Sequence, residues 1–368
     1  MSGRAPTPDR VVMVLASREA RGAPAGGIHR AVLAHIAALR ANGVEVTLLT
    51  ASEPCADRAA GMGAEVDVSP VWHNAVKPLL FPRFWMKLLR LRMRGGVRCL
   101  VHHSGRTWLW GHLFFAGIPQ VQIFHRELVR PYRFFRRWLA LSPGYAGYLA
   151  EHHSLHGFRK VSWAPNCLIE EPDPPPPFSG NEDCFTVGFL GRGVAGKGID
   201  TLLAAVAALK AAGHRIEVRF GGDGEAYIRS LAGRFGVADR VVFTGWHANP
   251  DDFIDPLDLL VLPSVKESFG LVLIEAMARG KPVLATRCNG PSGIIVDGET
   301  GYLTPIGDDT ALAEKLLEAM EDPGLASMGI AGFRRVMEHY IPSRAGSRLI
   351  DALVELGARF PGLRSGGL

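Results

Sequence analysis

The sequence predicts an α/β protein made of two doubly wound, parallel-sheet domains. Three observations carry that expectation. The chain has 368 residues, more than one ordinary core holds. Strand, glycine loop, helix and strand follow one another in both halves, which is the grammar of βαβ units. A run of four prolines, Pro174 to Pro177, separates the halves.

Residues 11–16 form a short apolar run and read as a first strand. Gly26 and Gly27 follow. Residues 28–42 read as a helix, with Ile28, Val32, Ile36 and Leu39 at helical spacing, and Gly43 ends it. Residues 44–49 read as the next strand. Later the pattern recurs: strand 185–190, a glycine-rich loop 191–198, helix 200–212 and strand 216–220. Short strands are expected at 241–243, 259–262 and 282–285. The segment 170–177, EEPDPPPP, reads as a stiff connector. The expected division is 1–169, a linker 170–180, a second domain 181–341 and a C-terminal tail 342–368. The tail's helix, 344–356, carries Leu349, Leu353 and Leu356 as one buried stripe, and is expected to cross back onto the first domain.

Composition narrows the class. The chain is 47% hydrophobic and 21% charged, as in globular proteins. No apolar run reaches the ~18 residues that span a bilayer. The start, MSGRAPTPDR, lacks the apolar stretch of a signal peptide. Five scattered cysteines, none in a C-x-x-C pair, point to a reducing cytoplasm and away from a disulfide framework or zinc site. Residues 1–165 carry 22 Lys and Arg against 9 Asp and Glu, whereas the remainder is acidic, so the two halves should meet different partners.

The loop Gly191-Arg-Gly-Val-Ala-Gly-Lys-Gly198 fits two familiar patterns and fails the context of both. A P-loop needs Ser or Thr after Lys197, and position 198 is Gly. A dinucleotide fingerprint needs an acid about 20 residues on, and Asp223 comes later than that. Backbone N–H groups near a helix start, with Arg192 and Lys197, suit a diphosphate better. The plainer reading is a strand-to-helix turn with solvated cations.

Glu267 and Glu275 are separated by seven residues, KESFGLVLIEA. A strand ends near Ser264, and Gly270 stands near the start of a helix carrying Glu275. The amides of Phe269, Gly270 and Leu271 would then face an anion at a helix N-terminus. Glu275 could accept from ribose hydroxyls and Glu267 from a sugar. The plainer reading makes both acids surface charges.

This segment resembles the E-x7-E signature of the family-4 retaining glycosyltransferases, which adopt the GT-B fold of two facing Rossmann-like domains with a cleft between them. Gly26-Gly27, Leu190-Gly191-Arg192 with Lys197-Gly198, residues 221–225, 243–245, 258–264, 280–283 and 290–301 resemble further elements of that family. The resemblance is specific over about 185–305 and weaker before it. It implies that Arg192 and Lys197 hold the donor diphosphate. It also implies that Phe269, Gly270 and Leu271 supply amides, that Glu275 holds the ribose, that Glu267 binds the donor sugar, and that Gly27 lets the backbone approach the phosphate. His125, after the strand 121–124, resembles the family's active-site histidine, with His102-His103 as the rival pair. Retention of configuration is likewise an implication of the resemblance. Asp251-Asp252 and Asp308-Asp309 read as helix-start acids, so no metal and no cofactor are expected.

Arg83, Lys87, Arg90 and Arg94 share one helical face, and residues 126–138 hold five arginines among Tyr132, Phe134, Phe135 and Trp138. Cations with aromatics suit an anionic membrane surface. The same pattern can bind nucleic acid, but no nucleic-acid fold accompanies it, and none is expected as partner. The plainer reading is a solvated face. The resulting expectation is transfer from a nucleotide-diphosphate sugar, UDP-linked, to a glycan or lipid-linked acceptor. It places the chain in envelope polysaccharide or lipopolysaccharide synthesis, peripheral on the cytoplasmic face of the inner membrane. The competing readings are a GT-B nucleotide-sugar epimerase and a nicotinamide-dependent oxidoreductase using the G-x-G-x-x-G loop.

Overall fold

The computed structural model of the chain describes residues 8–15, 27–68, 82–103, 115–125, 136–153, 160–178 and 183–363. Gly26, the cluster at 126–135 and the side chains of Arg83, Phe84 and Lys87 lie outside the described residues. Two compact units form: Met1–Glu170 with Ile341–Leu368, and Glu171–Tyr340.

In the first unit the order is β1 (Arg10–Leu15), α1 (Gly27–Ala41), β2 (Glu45–Thr50), α2 (Glu53–Gly61), β3 (Glu65–Val68), α3 (Pro82–Met93), β4 (Val97–His102), β5 (Gln120–Ile123), β6 (Arg137–Ala140), α4 (Pro143–His153) and β7 (Lys160–Trp163). In the second it is β8 (Phe185–Arg192), α5 (Ile199–Ala211), β9 (Ile216–Asp223), α6 (Glu225–Arg234), β10 (Val241–Gly245), α7 (Asp251–Ile254), β11 (Leu259–Leu262), α8 (Leu271–Ala278), β12 (Val283–Thr286), α9 (Pro291–Ile294), β13 (Tyr302–Thr304), α10 (Asp309–Glu321) and α11 (Leu325–His339). The chain then returns to the first unit through α12 (Pro342–Glu355).

The first sheet runs β3-β2-β1-β4-β5-β6-β7 and the second β10-β9-β8-β11-β12-β13. Neighbouring strands pair in parallel throughout. A parallel sheet is covered on both faces, so its central strands are apolar without alternation. Val11 to Leu15 of β1 and Leu259 to Leu262 of β11 are all buried. Each sheet reverses its winding once, between β1 and β4 and between β8 and β11. Ligands of such sheets bind beyond the strand carboxyl ends at these reversals.

The last helix explains why α1 is buried almost all round. Ala345, Leu349, Ala352 and Leu353 of α12 are buried, and α12 packs on α1. The Asn42 side-chain amide donates to Ala38 O at 2.9 Å and to Ser343 O at 3.0 Å, joining the end of α1 to the start of α12. Asp308 caps α10 by accepting from Ala311 N at 2.9 Å, and Asp251 and Asp252 occupy the first turn of α7.

Two readings of the basic face are corrected. Trp138 is no interfacial aromatic: it lies in β6 between β5 and β7, fully buried, edge-on to Phe124 with ring centroids 5.1 Å apart. The apolar run after Arg137 is short and follows a basic stretch, which hides a strand. Arg94 is not a free cation of the helical face, because it forms an ion pair with Glu65 at 2.6 Å.

The tightest backbone approach in the second unit is at Gly198, with φ +67°. A Cβ there would stand 1.8 Å from Pro263 O. Gly198→Ala is therefore expected to destabilise the second unit by ~2 kcal/mol or more, from the left-handed backbone and the carbonyl clash together. Thermal unfolding of the variant beside the wild-type chain measures it, and an unchanged transition would refute the close approach.

Candidate active site

Three loops converge beyond the carboxyl ends of β8, β11 and β12. The loop after β8 touches the loop after β11 through Val265 N, which donates to Gly196 O at 3.0 Å, and through Gly198 against Pro263. The loop after β12 fixes the same segment from the other side. Thr286 Oγ1 and Cys288 Sγ both donate to Ser264 O, at 2.5 and 2.8 Å, and Gly290 N donates to Glu267 O at 2.9 Å. Gly290 lies flat on the Phe269 backbone, where a Cβ would come within 2.4 Å of both its N and its O. The backbone from Ser264 to Phe269 is thus held by hydrogen bonds and contact on both sides.

Onto this frame the structure places the predicted residues. Lys197 Nζ and Glu267 Oε2 meet at 2.8 Å, 70 residues apart in sequence and both partly buried. Arg192 ends β8 and is exposed, in register with Asp223 of β9. Gly270 has φ +101° and caps the start of α8. The first amides of α8, beginning with Leu271, have no acceptor within the helix and carry its positive dipole end. Phe269 offers its backbone only: its side chain is buried, edge-on to Tyr340 with centroids 5.9 Å apart. Glu275 sits in α8 and is 8% exposed, so it is no surface charge. Thr286 and Cys288 are not among the sequence-predicted site residues, and Gly290 enters there only as the start of the 290–301 element. Their signal is contact with the Glu267 segment, which no spacing encodes.

The first unit holds Gly27 and His125. Gly27 starts α1, and a Cβ there would meet no atom of the described residues within 4 Å. His125 follows β5, partly buried, and its Nε2 lies 2.8 Å from His103 Nδ1. The rival histidines therefore form one assembly. His103 is buried just after β4, its amide donating to Val14 O at 2.9 Å, and its ring lies edge to edge with that of His125, nearly coplanar, with centroids 5.1 Å apart. His35 of α1 packs against His103, with ring centroids 5.6 Å apart. His102 Nε2 lies 3.2 Å from Gln120 Oε1, which accepts from it. Burial pushes His35 down to about 4, and burial with the neighbouring imidazoles holds His103 well below the ordinary range. Among the described residues no group of three or more His, Cys, Asp or Glu is placed to hold a metal ion.

Residues 176–334 match the family described as Glycosyl transferases group 1. The match takes in under half of the chain. It contains Arg192, Lys197, Glu267 and Glu275. Curated relatives match over parts of their length. N-acetyl-alpha-D-glucosaminyl L-malate synthase of Bacillus anthracis is 39% identical over 122 residues, 32% of this chain and 32% of that protein. Lipopolysaccharide core biosynthesis glycosyltransferase LpsE of Rhizobium meliloti is 36% identical over 145 residues, 39% of this chain and 42% of that protein. The chain thus spans well under half the length of these relatives. Neither relative is named an epimerase or a nicotinamide enzyme. Solved structures match nearly the whole chain. A glycosyltransferase of Rickettsia africae gives a TM-score of 0.74 at 15% identity, covering 95% of this chain and 98% of that one. Anabaena HepE in complex with UDP and glucose gives 0.70 at 19% identity, covering 94% and 99%. These likenesses show the GT-B fold, two Rossmann-like units in one chain.

The buried histidines generate a pH dependence. The ordinary histidine value is 6.5 and that of folded His35 is about 4, so the native state prefers the neutral ring. The unfolded chain takes up the proton first. This contribution is complete above pH ~6.5 and is lost as pH falls toward ~4. The free energy of unfolding should fall from pH 7.5 to pH 5, and His35→Leu should reduce that fall by roughly 2 kcal/mol. Urea unfolding at the two pH values measures it, and equal falls in both chains would count against a neutral buried His35.

Proposed function

We propose that the chain is a retaining glycosyltransferase. It moves a sugar from a nucleotide-diphosphate donor, UDP-linked, to a glycan or lipid-linked glycan in envelope polysaccharide or lipopolysaccharide synthesis. The observation that carries this reading is the Lys197–Glu267 pair beside the N-terminus of α8, on a segment matching the group 1 family. The HepE structures hold UDP with glucose and UDP-glucose, and LpsE is a lipopolysaccharide core enzyme, which supports the donor and acceptor classes.

Glycosyl transfer develops negative charge on the departing diphosphate. Lys197, Arg192 and the first amides of α8 form a cationic set for that charge. An arriving diphosphate competes with Glu267 for the Lys197 ammonium. Glu267 is then released to accept hydrogen bonds from donor-sugar hydroxyls, which couples leaving-group binding to sugar orientation. Glu275 accepts from the ribose. In the first unit Gly27 is assigned to phosphate and His125 to a sugar, and retention follows a same-face route in which the leaving phosphate takes the acceptor proton. Because cations and amides meet the diphosphate charge, the reaction needs no divalent ion and no cofactor.

A calorimetric screen of UDP, GDP and ADP and their sugars tests the donor. UDP is expected to bind, Glu275→Ala to weaken it at least ~10-fold, as loss of a charged hydrogen bond implies, and Glu267→Ala to lower turnover more than affinity. Turnover is expected to survive a chelator. Wild-type behaviour of both variants would defeat the site assignment, and chelator-sensitive turnover would defeat metal independence.

We further propose that the first unit sits peripherally on an anionic membrane, at the cytoplasmic face. Among the described residues no helix is long and apolar enough to cross a bilayer. On α3, Met86, Leu89 and Met93 recur at helical spacing and are 53%, 52% and 76% exposed. Leu88 and Leu91 are buried on the opposite side. Arg90 is exposed on the same helix, and 83–98 contains no acid. An apolar stripe edged by cations suits lipid with anionic headgroups. The full chain should float with phosphatidylglycerol vesicles at low salt, and Met86→Ser with Leu89→Ser and Met93→Ser should abolish flotation. Flotation of the triple variant, or none of the wild type, would remove the membrane reading.

A further inference from the structure

We propose that His103 is a positioning residue that fixes the tautomer of His125, so that His125 acts as a neutral N–H donor carrying its proton on Nδ1. The inference deepens the reading of His125 as a residue that meets the donor sugar, and it rests on that reading for its consequence in turnover.

One proton lies between His103 Nδ1 and His125 Nε2, which are 2.8 Å apart. The question is which ring owns it. His103 is buried, and the charged groups acting on it are all imidazoles: His29 and His35 from α1, His102 on its own strand and His125 after β5. Burial and these neighbours keep it uncharged. A neutral His103 carries its proton on either Nδ1 or Nε2. Among the described residues its Nε2 is buried with no hydrogen-bond partner, and both ring nitrogens of the adjacent His35 are equally without one. A proton on Nε2 would leave an orphaned buried N–H, the group that folded proteins tolerate least. A proton on Nδ1 leaves only an unused lone pair there and gives His125 Nε2 a donor.

The second arrangement fixes the rest. His103 donates from Nδ1, His125 Nε2 accepts, and the neutral His125 holds its own proton on Nδ1. Charging His125 would set two N–H groups against each other, unless His103 moved its proton to the unpartnered Nε2. The assembly therefore resists the imidazolium form and presents His125 as a hydrogen-bond donor to a ligand oxygen, and as neither general acid nor general base. His103 itself touches no ligand in this scheme. It is held by the bond from its amide to Val14 O, by the edge-to-edge contact with His125 and by packing against His35.

Ring 15N NMR of the full chain with 15N-labelled histidine reads the tautomer directly, with His125 identified through His125→Asn. The expected spectrum has His125 protonated on Nδ1 and bare on Nε2, unchanged from pH ~8 to ~5.5. In His103→Leu the ring should titrate near pH ~6.5, the unperturbed value, and kcat should gain an acid limb there. His103→Asn can supply an amide N–H in place of the imidazole donor and should restore the wild-type profile. A proton on His125 Nε2 in the wild-type chain overturns the proposal, and that spectrum decides even if His103→Leu does not fold. Identical pH profiles for His103→Leu and wild type also overturn it. The spectrum needs no turnover, so the expected tautomer in a chain without transferase activity would sink the proposed reaction and leave the His103–His125 relation standing. Transferase activity with the opposite tautomer would do the reverse.

Discussion

Gly198 lies so close to the Pro263 carbonyl that a side chain has no room, and much of the second unit's chemistry depends on that approach. β8 and β11 are sheet neighbours because the winding reverses between them. Two loops from distant parts of the sequence therefore leave the sheet side by side. With Gly198 seated on Pro263, Lys197 is brought to Glu267 and the N-terminus of α8 follows directly. The loop after β12 holds the carboxylate's backbone from behind, through Thr286, Cys288 and Gly290. The polar pair can stay partly exposed because backbone contacts, and not the ion pair, set its position.

The fold class could be read from the sequence because parallel sheets leave a strong trace. Buried central strands are apolar on both faces, so β1 and β11 stand out as short unbroken runs, and glycine loops mark the turns into helices. β6 left no such trace. Its apolar residues are few, they follow consecutive arginines, and Trp138 therefore looked like a surface aromatic until its neighbours on both sides were known. The site was legible in residue type and not in contact. Spacing offered Glu267 and Glu275 as a pair, whereas the partner of Glu267 in the structure is Lys197, 70 positions earlier. His103 and His125 competed as alternatives for the same reason: strands β4 and β5 are adjacent, and only adjacency turns two candidates into one assembly.

Charge counts were similarly blunt. The surplus of cations in the first 165 residues suggested a broad basic face, but a cation acts on a partner only if no nearer acid holds it. Arg94 is taken by Glu65, and Arg98 by Asp9 at 2.5 Å. What remains distinctive on α3 is apolar: Met86, Leu89 and Met93 in the open beside Arg90. That feature was invisible to a count of arginines, because burial of Leu88 and Leu91 decides which of the helix's apolar residues face outward.

The two sheets place different polar groups beyond their strand carboxyl ends, and the difference follows from burial. Beyond β8 and β11 stand a lysine and a carboxylate with access to water, where charge is inexpensive to keep and ready to exchange for a ligand's charge. Beyond β4 and β5 stand imidazoles, the innermost fully enclosed, where charge would cost several kcal/mol and the rings stay neutral. A neutral imidazole is useful only through the position of its single proton. That position is set by which neighbouring nitrogen can afford to lack a partner, so the Nε2 of His103, unpartnered among the described residues, gives the cluster its direction.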